Sequence, residues 1–258
     1  MISTFSTDVL SLLNNPPRTF QLTDPCVPLV KIILRRFKPE QIVSLQLNGN
    51  ELWLEQHLNI FNKVICLTLL NFPYKNPINQ YENWFTNLIC LSLCYDNEVN
   101  FIMLTNIFNQ PRTRIKRLEI HCAGILCPHY NGNKLIKRFW LNSTVEYFLL
   151  DVGHFPLISI NNCFKQYTLC SLITTIDFIK TMTNIRYIYL IINKYDIKSL
   201  LDINQWITLV TDCVHLRKVN IQVLGSSLED QQLLEKVLQI QMQLRHIQQT
   251  IQFNLHFL

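Results

Sequence analysis

A six-residue pattern, apolar-x-x-apolar-x-apolar, recurs along this chain and restricts what the chain can fold into. The seven copies begin at Ile42 and end at Ile221, and they occupy residues 42–47, 64–69, 88–93, 115–120, 145–150, 185–190 and 216–221. Their starts lie roughly 22 to 40 residues apart, which is the spacing of solenoid repeats. Each copy is short, rich in leucine or β-branched residues, and alternates over its second half. The pattern therefore predicts seven strands.

Between the copies the apolar residues often take the helical period. Helices are predicted at 29–37, from an Asp96 cap over 96–107, around 169–182, over 203–210, and after a Ser226/Glu229 capping box over the stretch from Leu233 to Ile247. Extra strands are predicted at 154–160 and 251–257. Strand, helix and strand joined by short connections imply right-handed crossovers and a parallel sheet. The predicted fold class is therefore α/β, a right-handed solenoid over 41–258 with a curved parallel sheet on its concave side and helices on its convex side. Residues 1–40 are expected to be a helical or irregular N-terminal segment.

Composition places the chain among intracellular globular proteins. Its 258 residues are 48% hydrophobic, enough for a substantial core. No basic start or uninterrupted apolar core marks a secretory signal, and no apolar run approaches the ~18 residues of a spanning helix. Nine cysteines form an odd set without framework spacing, which indicates reduced thiols. We expect a protein of the cytoplasm, the nucleus or both, with no membrane association.

The repeated pattern resembles the leucine-rich-repeat (LRR) core LxxLxLxxN, and its irregular spacing is similar to that of F-box/LRR proteins. The sequences of residues 61–72, FNKVICLTLLNF, and of 149–160, LLDVGHFPLISI, resemble still more closely the divergent, rotifer-type F-box/LRR-like proteins. The resemblance covers roughly residues 40–250. The family's repeat asparagine is matched at Asn50 and Asn193. Four other copies carry a different residue at that place: Phe72, Ala123, Gly153 and Leu224.

The resemblance implies the substrate-recognition half of a ubiquitin-ligase adaptor. An F-box itself is not recognisable, because residues 1–40 are too short and wrongly patterned for its three amphipathic helices. We therefore expect a protein–protein interaction module whose protein partner is unknown. Skp1/cullin-type subunits are expected as partners only if an F-box exists.

Side chains alternate along a strand, so the third, fifth and seventh positions of each copy point to one face. Small neutral residues occupy these positions in the first copies, and charged and aromatic residues occupy them in the later ones. Tyr and Arg are common anchors of protein interfaces. The predicted partner-binding residues on this concave face are Arg117, Glu119, His121, Tyr147, Asp151, Tyr187, Tyr189 and Lys218.

Two alternatives to protein binding remain open. The basic region 112–138 could bind nucleic acid or another polyanion. Its cations are Arg112, Arg114, Lys116, Lys134, Lys137 and Arg138. A net charge of only +5 argues against that function, since nucleic acid usually requires a concentrated basic face. The cluster from His121 to His129 has zinc-type residues. In the predicted strand, however, His121 and Cys122 point to opposite sides, so no metal ligand is predicted.

Enzyme motifs are missing from the sequence. The five glycines are isolated, and there is no G-x-S-x-G elbow, no pair of histidines and no group of carboxylates that would indicate catalysis. We predict no enzyme activity, no catalytic residue and no cofactor.

Overall fold

The structure is a computed structural model, and it divides into two compact units, Met1–Cys94 and Tyr95–Leu258. The residues that it describes are 19–22, 42–48, 62–71, 85–97, 99–100, 114–123, 125–128, 144–152, 167–169, 172–193, 202–225 and 231–258.

The described residues of the first unit form four parallel strands in the order of the chain. They are β1 (Thr19–Leu22), β2 (Ser44–Asn48), β3 (Cys66–Leu70) and β4 (Cys90–Cys94). The register places equivalent pattern positions side by side, so that Ser44 pairs with Cys66 and Cys66 with Cys90. Strand β1 pairs with β2 in parallel and was not predicted, because it carries no copy of the repeated pattern.

In its described residues, the second unit contains eight strands and three helices. The strands are β5 (Val99–Asn100), β6 (Arg117–His121), β7 (Ile125–Pro128), β8 (Tyr147–Asp151), β9 (Tyr167–Leu169), β10 (Tyr187–Asn193), β11 (Lys218–Leu224) and β12 (Gln252–Phe257). The helices are α1 (Leu172–Lys180), α2 (Ile203–Asp212) and α3 (Gln231–Ile247). Five strands form a parallel sheet in the order β6-β8-β10-β11-β12. The other three form a small mixed sheet in the order β5-β7-β9.

The seven copies of the pattern form strands as predicted, and their apolar positions form the core. The first, fourth and sixth positions of every copy are at most 4% exposed, from Ile42 in the first copy to Ile221 in the last. Burying a leucine, isoleucine or valine side chain contributes about 1.5–3 kcal/mol relative to leaving it exposed. Intervening positions of the strands remain more accessible. An α/β fold built on parallel strands is therefore confirmed.

Helix α2 begins where local chemistry favours a helix and packs through one face. Asp202 caps α2, because its Oδ1 accepts a hydrogen bond from the backbone N–H of Asn204 at 3.0 Å. Trp206 of α2 is fully buried, and its ring meets that of Phe253 edge to face at a centroid distance of 5.0 Å. Helix α3 is tied to the sheet by Gln241, whose Nε2 donates to the carbonyl oxygen of Phe253 at 2.8 Å.

The helix predicted from Asp96 is wrong where the structure describes it, since Val99–Asn100 is strand β5. Val99 is fully buried and pairs with Ile125 of β7. A β-branched residue suits a buried strand, and tertiary pairing overrides the weak helical spacing here. The predicted elements at 29–37 and 154–160, and the capping residues Ser226 and Glu229, lie outside the described residues.

Strand β11 is followed by Gly225, whose backbone has a conformation that only glycine adopts without strain. Gly225 has φ +74°, and its N–H donates to the carbonyl oxygen of Leu258 at 3.0 Å. The sequence places this glycine in a turn, as the structure shows. In the part of the chain that is described, no helix has the length and apolar character needed to cross a membrane.

Candidate interaction face

The second unit presents side chains in straight rows on the face of its sheet opposite the buried positions, here called the open face. The strand register aligns the third, fifth and seventh pattern positions of β6, β8, β10 and β11. Neighbouring strands of a sheet are about 4.8 Å apart. The first row is Arg117, Tyr147, Tyr187 and Lys218; the second is Glu119, Leu149, Tyr189 and Asn220; the third is His121, Asp151, Ile191 and Gln222. The eight predicted partner-binding residues therefore lie on one face.

Exposure on the open face decreases along the strands. Tyr187 in the first row is 41% exposed, whereas Asp151 and Ile191 in the third row are only 6% and 8% exposed. The most accessible part of the face is thus the first row, at the start of the strands. Because it is buried, Asp151 offers a partner little surface, and its carboxylate instead contacts His121.

Four charged side chains of alternating sign form a network at one end of the open face. Nε of Arg117 donates to Oε1 of Glu119 at 2.6 Å. Oε2 of Glu119 lies 3.8 Å from Nε2 of His121, and Nδ1 of His121 lies 3.3 Å from Oδ2 of Asp151. Two strands, β6 and β8, supply these groups, and the network links their polar faces.

The network sets the protonation of its members. Hydrogen bonds that His121 donates to Asp151 and, second, to Glu119 raise its pKa from 6.5 to about 9, against the opposing effect of burial. The hydrogen bond with His121 lowers the pKa of Glu119 below 4.5, and Arg117 acts in the same direction. At neutral pH, His121 is therefore a cation held between two carboxylates and cannot act as a free base.

Arg117 also covers an aromatic ring in the first row. Its guanidinium carbon lies 4.4 Å from the ring centroid of Tyr147, which is cation–π geometry. Burial raises the pKa of the Tyr147 hydroxyl above 10. Contact with both Glu119 and Tyr147 fixes the guanidinium group, so that less side-chain entropy is lost when it binds a further group.

Neutral hydrogen bonds join the side chains of β10, β11 and β12 on the open face. The hydroxyl of Tyr189 donates to Oε1 of Gln222 at 2.7 Å. Nδ2 of Asn254 donates to Oδ1 of Asn220 at 2.8 Å. Asn254 belongs to β12, which adds a fifth strand to this face with Gln252 and His256. Sequence reasoning predicted this strand but not its contribution to the site, because the strand lacks the full repeated pattern.

The corresponding positions in the first unit carry small neutral side chains, as the sequence indicates. Cys66, Thr68, Cys90, Ser92 and Cys94 are all half-buried. Ser92 Oγ lies 3.7 Å from Cys94 Sγ. Within the described part of the chain, no disulfide involves these three cysteines or the buried Cys122 and Cys213 of the second unit.

The alternative basic region is only partly within the described residues. Arg114 is exposed, and Nζ of Lys116 lies 3.3 Å from Oε1 of Glu146. The other four cations, Arg112, Lys134, Lys137 and Arg138, lie outside the described residues. Polyanion binding through this region stays a prediction.

The metal-like cluster is likewise only partly described. Its His121 is bonded to carboxylates, and its Cys122 is buried on the opposite side of the strand. His129 lies outside the described residues. Where side chains are described, no group of three or more His, Cys, Asp or Glu residues is placed to hold a metal ion.

A row of charges at the second pattern position escaped the sequence analysis. Lys116, Glu146, Arg186 and Arg217 come immediately before β6, β8, β10 and β11. The carbonyl oxygen of each of the first three accepts two backbone N–H groups from the next strand at 2.8–3.1 Å, so the four residues lie side by side. We call these four, together with the first row of the open face, the strand-start surface. Aligning the copies by pattern position would have revealed it, because a charged residue recurs at the second position in four successive copies.

Chemically, the two rows of the strand-start surface offer guanidinium and ammonium groups beside an exposed tyrosine ring, all attached to a hydrogen-bonded sheet. Such groups can bind a ligand through charge, hydrogen bonds and ring contact. A comparison of the chain with protein-family models, with curated proteins and with solved structures finds no match.

Proposed function

We propose that this chain is a non-catalytic interaction module that binds a protein partner on the open face of its second unit. The observation that carries the proposal is the register that places Arg117, Tyr147, Tyr187 and Lys218 in one accessible row outside the core. Arg and Tyr are enriched among residues that dominate protein–protein binding energy. A binding row built on hydrogen-bonded strands is also rigid, which limits the entropy lost on association.

The architecture that we propose is an LRR-like right-handed solenoid. Support comes from the constant register, in which the same pattern position pairs from strand to strand within each unit. Helices α1 and α2 fall between successive strands of the sheet, as a strand–helix repeat requires. In solenoids the strand face is an extended binding surface.

The cellular role that we propose is substrate recognition of the F-box/LRR type, inside the cell. This proposal rests on the resemblance of the repeated sequence pattern to that of F-box/LRR proteins. The open face would hold the substrate, and coupling to Skp1/cullin-type subunits would require an F-box in the full protein. The role needs no chemistry from the chain itself, and the proton-carrying His121 between Glu119 and Asp151 is consistent with that.

The test is an affinity purification of the tagged chain from its own cells, in parallel with two variants. Tyr187→Ala removes the exposed ring of the first row, and Leu238→Ala removes a 56% exposed leucine from α3 as the matched control. Captured proteins are identified by mass spectrometry, purified and titrated directly against each chain by calorimetry.

We expect a partner that binds the wild-type chain and the Leu238→Ala control alike, and binds Tyr187→Ala at least about tenfold more weakly. Recovery of ligase subunits would support the adaptor role. A partner that binds all three chains equally would overturn the assignment of the open face. Direct binding confined to nucleic acid would overturn the proposal of a protein-binding module.

A further inference from the structure

The strand-start surface concentrates cations that the chain itself only partly neutralises. Its two rows hold five cations (Lys116, Arg117, Arg186, Arg217 and Lys218) and one carboxylate, Glu146. That carboxylate is shared, since Lys116 Nζ lies 3.3 Å from its Oε1 and Arg186 Nε lies 3.6 Å from its Oε2. Among the described residues, neither Arg217 nor Lys218 forms an ion pair.

These cations are accessible and close together. The side chains of Lys116, Arg117 and Arg186 are 60%, 49% and 46% exposed. Backbone hydrogen bonds join Arg186 to both Arg217 and Lys218, at 2.9 and 3.1 Å, so three cationic residues occupy two adjacent strand starts. Like charges at this spacing repel one another and create a positive potential that an anionic ligand relieves.

Tyr187 adds an apolar contact within the positive surface. It lies between Tyr147 and Lys218 in the first row and directly follows Arg186. The residue is 41% exposed. A ligand that carries carboxylates and one apolar group could therefore pair with the guanidinium groups and cover the ring at the same time. Planar guanidinium groups suit carboxylates particularly well, because they donate two parallel hydrogen bonds.

We infer that the partner of this module is bound through an acidic segment, which crosses the strand starts of β8, β10 and β11. Its carboxylates contact Arg186, Arg217 and Lys218, and an apolar side chain of the segment covers Tyr187. The inference rests on the proposed function and adds to it the chemistry of the partner and the end of the sheet where that partner binds.

Single-stranded nucleic acid is also negatively charged, but its binding requires several exposed aromatic side chains in a row. Its bases stack on successive exposed aromatic faces. The Tyr147 ring is covered by the Arg117 guanidinium at 4.4 Å, and the half-buried Tyr189 donates its hydroxyl proton to Gln222. Of the described tyrosines on this face, Tyr187 alone has an exposed, uncovered ring, and one ring does not make a stacking row. The surface therefore fits an acidic protein segment better.

The inference is tested by fluorescence anisotropy with the full chain and three labelled probes. The probes are a glutamate-rich peptide of about twelve residues with a central phenylalanine, the same peptide with glutamine in place of glutamate, and an oligothymidine of similar length. The test variant is Arg186→Glu/Arg217→Glu. Lys236→Glu is the control, an exposed cation on α3 away from the strand starts. Circular dichroism spectra and thermal melts verify that both variants fold.

We expect the glutamate peptide to bind more weakly as salt increases, and the glutamine peptide to bind at least about tenfold more weakly than the glutamate peptide. The double variant should lose at least about tenfold in affinity for the glutamate peptide, while Lys236→Glu stays within about twofold of wild type. Equal binding of both peptides, or equal binding by wild type and double variant, would overturn the inference. Tighter binding of oligothymidine that the double variant abolishes would reassign the surface to nucleic acid.

Failure of the inference is distinguishable from failure of the proposed function. If Tyr187→Ala releases the purified cellular partner but Arg186→Glu/Arg217→Glu does not, the open face still binds protein and the acidic-segment inference is wrong. If neither variant releases the partner, the proposed binding face is wrong as well.

Discussion

Oδ2 of Asp151 lies 3.3 Å from Nδ1 of His121, although 30 residues of chain separate them. Parallel pairing of β6 with β8 places the two residues directly opposite each other. The side chain of Asp151 is only 9% exposed, and that of His121 is 29% exposed. A carboxylate buried to this extent is stabilised by a charged partner, and the partner is in turn held in its cationic form.

This pair makes the stability of the fold depend on pH. The folded pKa of His121 is about 9, above the ordinary value of 6.5, so the folded state binds the proton more tightly than the unfolded state. Its stabilising contribution is fully present below about pH 6.5 and is lost as the pH rises from there through about 9. We expect His121→Gln to lower the free energy of unfolding by on the order of 1–3 kcal/mol below pH 6.5, and by less above pH 9.

Urea unfolding of both chains at several pH values measures this difference. The acid limit of the series stays above the pKa of Glu119, which is lowered from 4.5, so that Glu119 remains charged throughout. Asp151→Asn serves as the second variant and should bring the pKa of His121 down in an NMR titration of the imidazole ring. A constant difference between wild type and His121→Gln across this range would contradict the predicted linkage.

The repeated pattern predicts the core because side-chain hydrophobicity and the alternation of a strand are local properties that the sequence shows directly. Ile115, Leu118 and Ile120 are each fully buried, and the same three positions are buried in all seven copies. Strand β12 is also foreseen, since residues 251–257 alternate. Strand β5 is not, because the pairing of Val99 with Ile125 depends on distant chain that helical spacing does not report.

The site is predictable in its composition but not in its contacts. Alternation places Arg117, Tyr147 and Tyr187 on one face, and register then aligns them. Aligning the copies by pattern position places His121 beside Asp151 and Glu146 between Lys116 and Arg186. It does not predict the contacts, because these depend on the rotamers by which the side chains approach one another.

The two tyrosines of β10 differ in what their hydroxyl groups do. The hydroxyl of Tyr189 donates to Gln222 at 2.7 Å, whereas the 41% exposed Tyr187 has no such bond to a described residue. We expect Tyr189→Phe to destabilise the fold by about 0.5–1.5 kcal/mol and Tyr187→Phe by about 0.5 kcal/mol or less. Chemical denaturation of the two matched variants measures both effects. Equal decreases in the free energy of unfolding would mean that the hydrogen bond from Tyr189 to Gln222 does not stabilise the fold.

Cys213 should be an unreactive thiol in the folded protein. It is fully buried where α2 ends, and burial raises its pKa to about 11, with the nearby Asp212 acting in the same direction. Since the thiolate is the reactive form, alkylation by iodoacetamide near pH 8 should modify Cys213 much more slowly than the half-buried Cys66 and Cys90. Mass spectrometry of tryptic peptides gives the rates, and the difference should vanish in urea. Fast native labelling of Cys213 would show that this part of the core opens readily.

Replacing a leucine by alanine should reduce the free energy of unfolding much more in the core of the second unit than on its surface. Leu118 of β6 is fully buried at the fourth pattern position, whereas Leu238 of α3 is 56% exposed. Leu118→Ala removes buried methyl groups and leaves a cavity, so we expect a loss of about 2–5 kcal/mol in the free energy of unfolding. The same substitution at Leu238 should cost about 0.5 kcal/mol or less, because alanine is a good helix former and little buried area is lost. Thermal and urea unfolding of the two variants provide the comparison, and similar losses at both sites would contradict the assignment of the repeated pattern to the core.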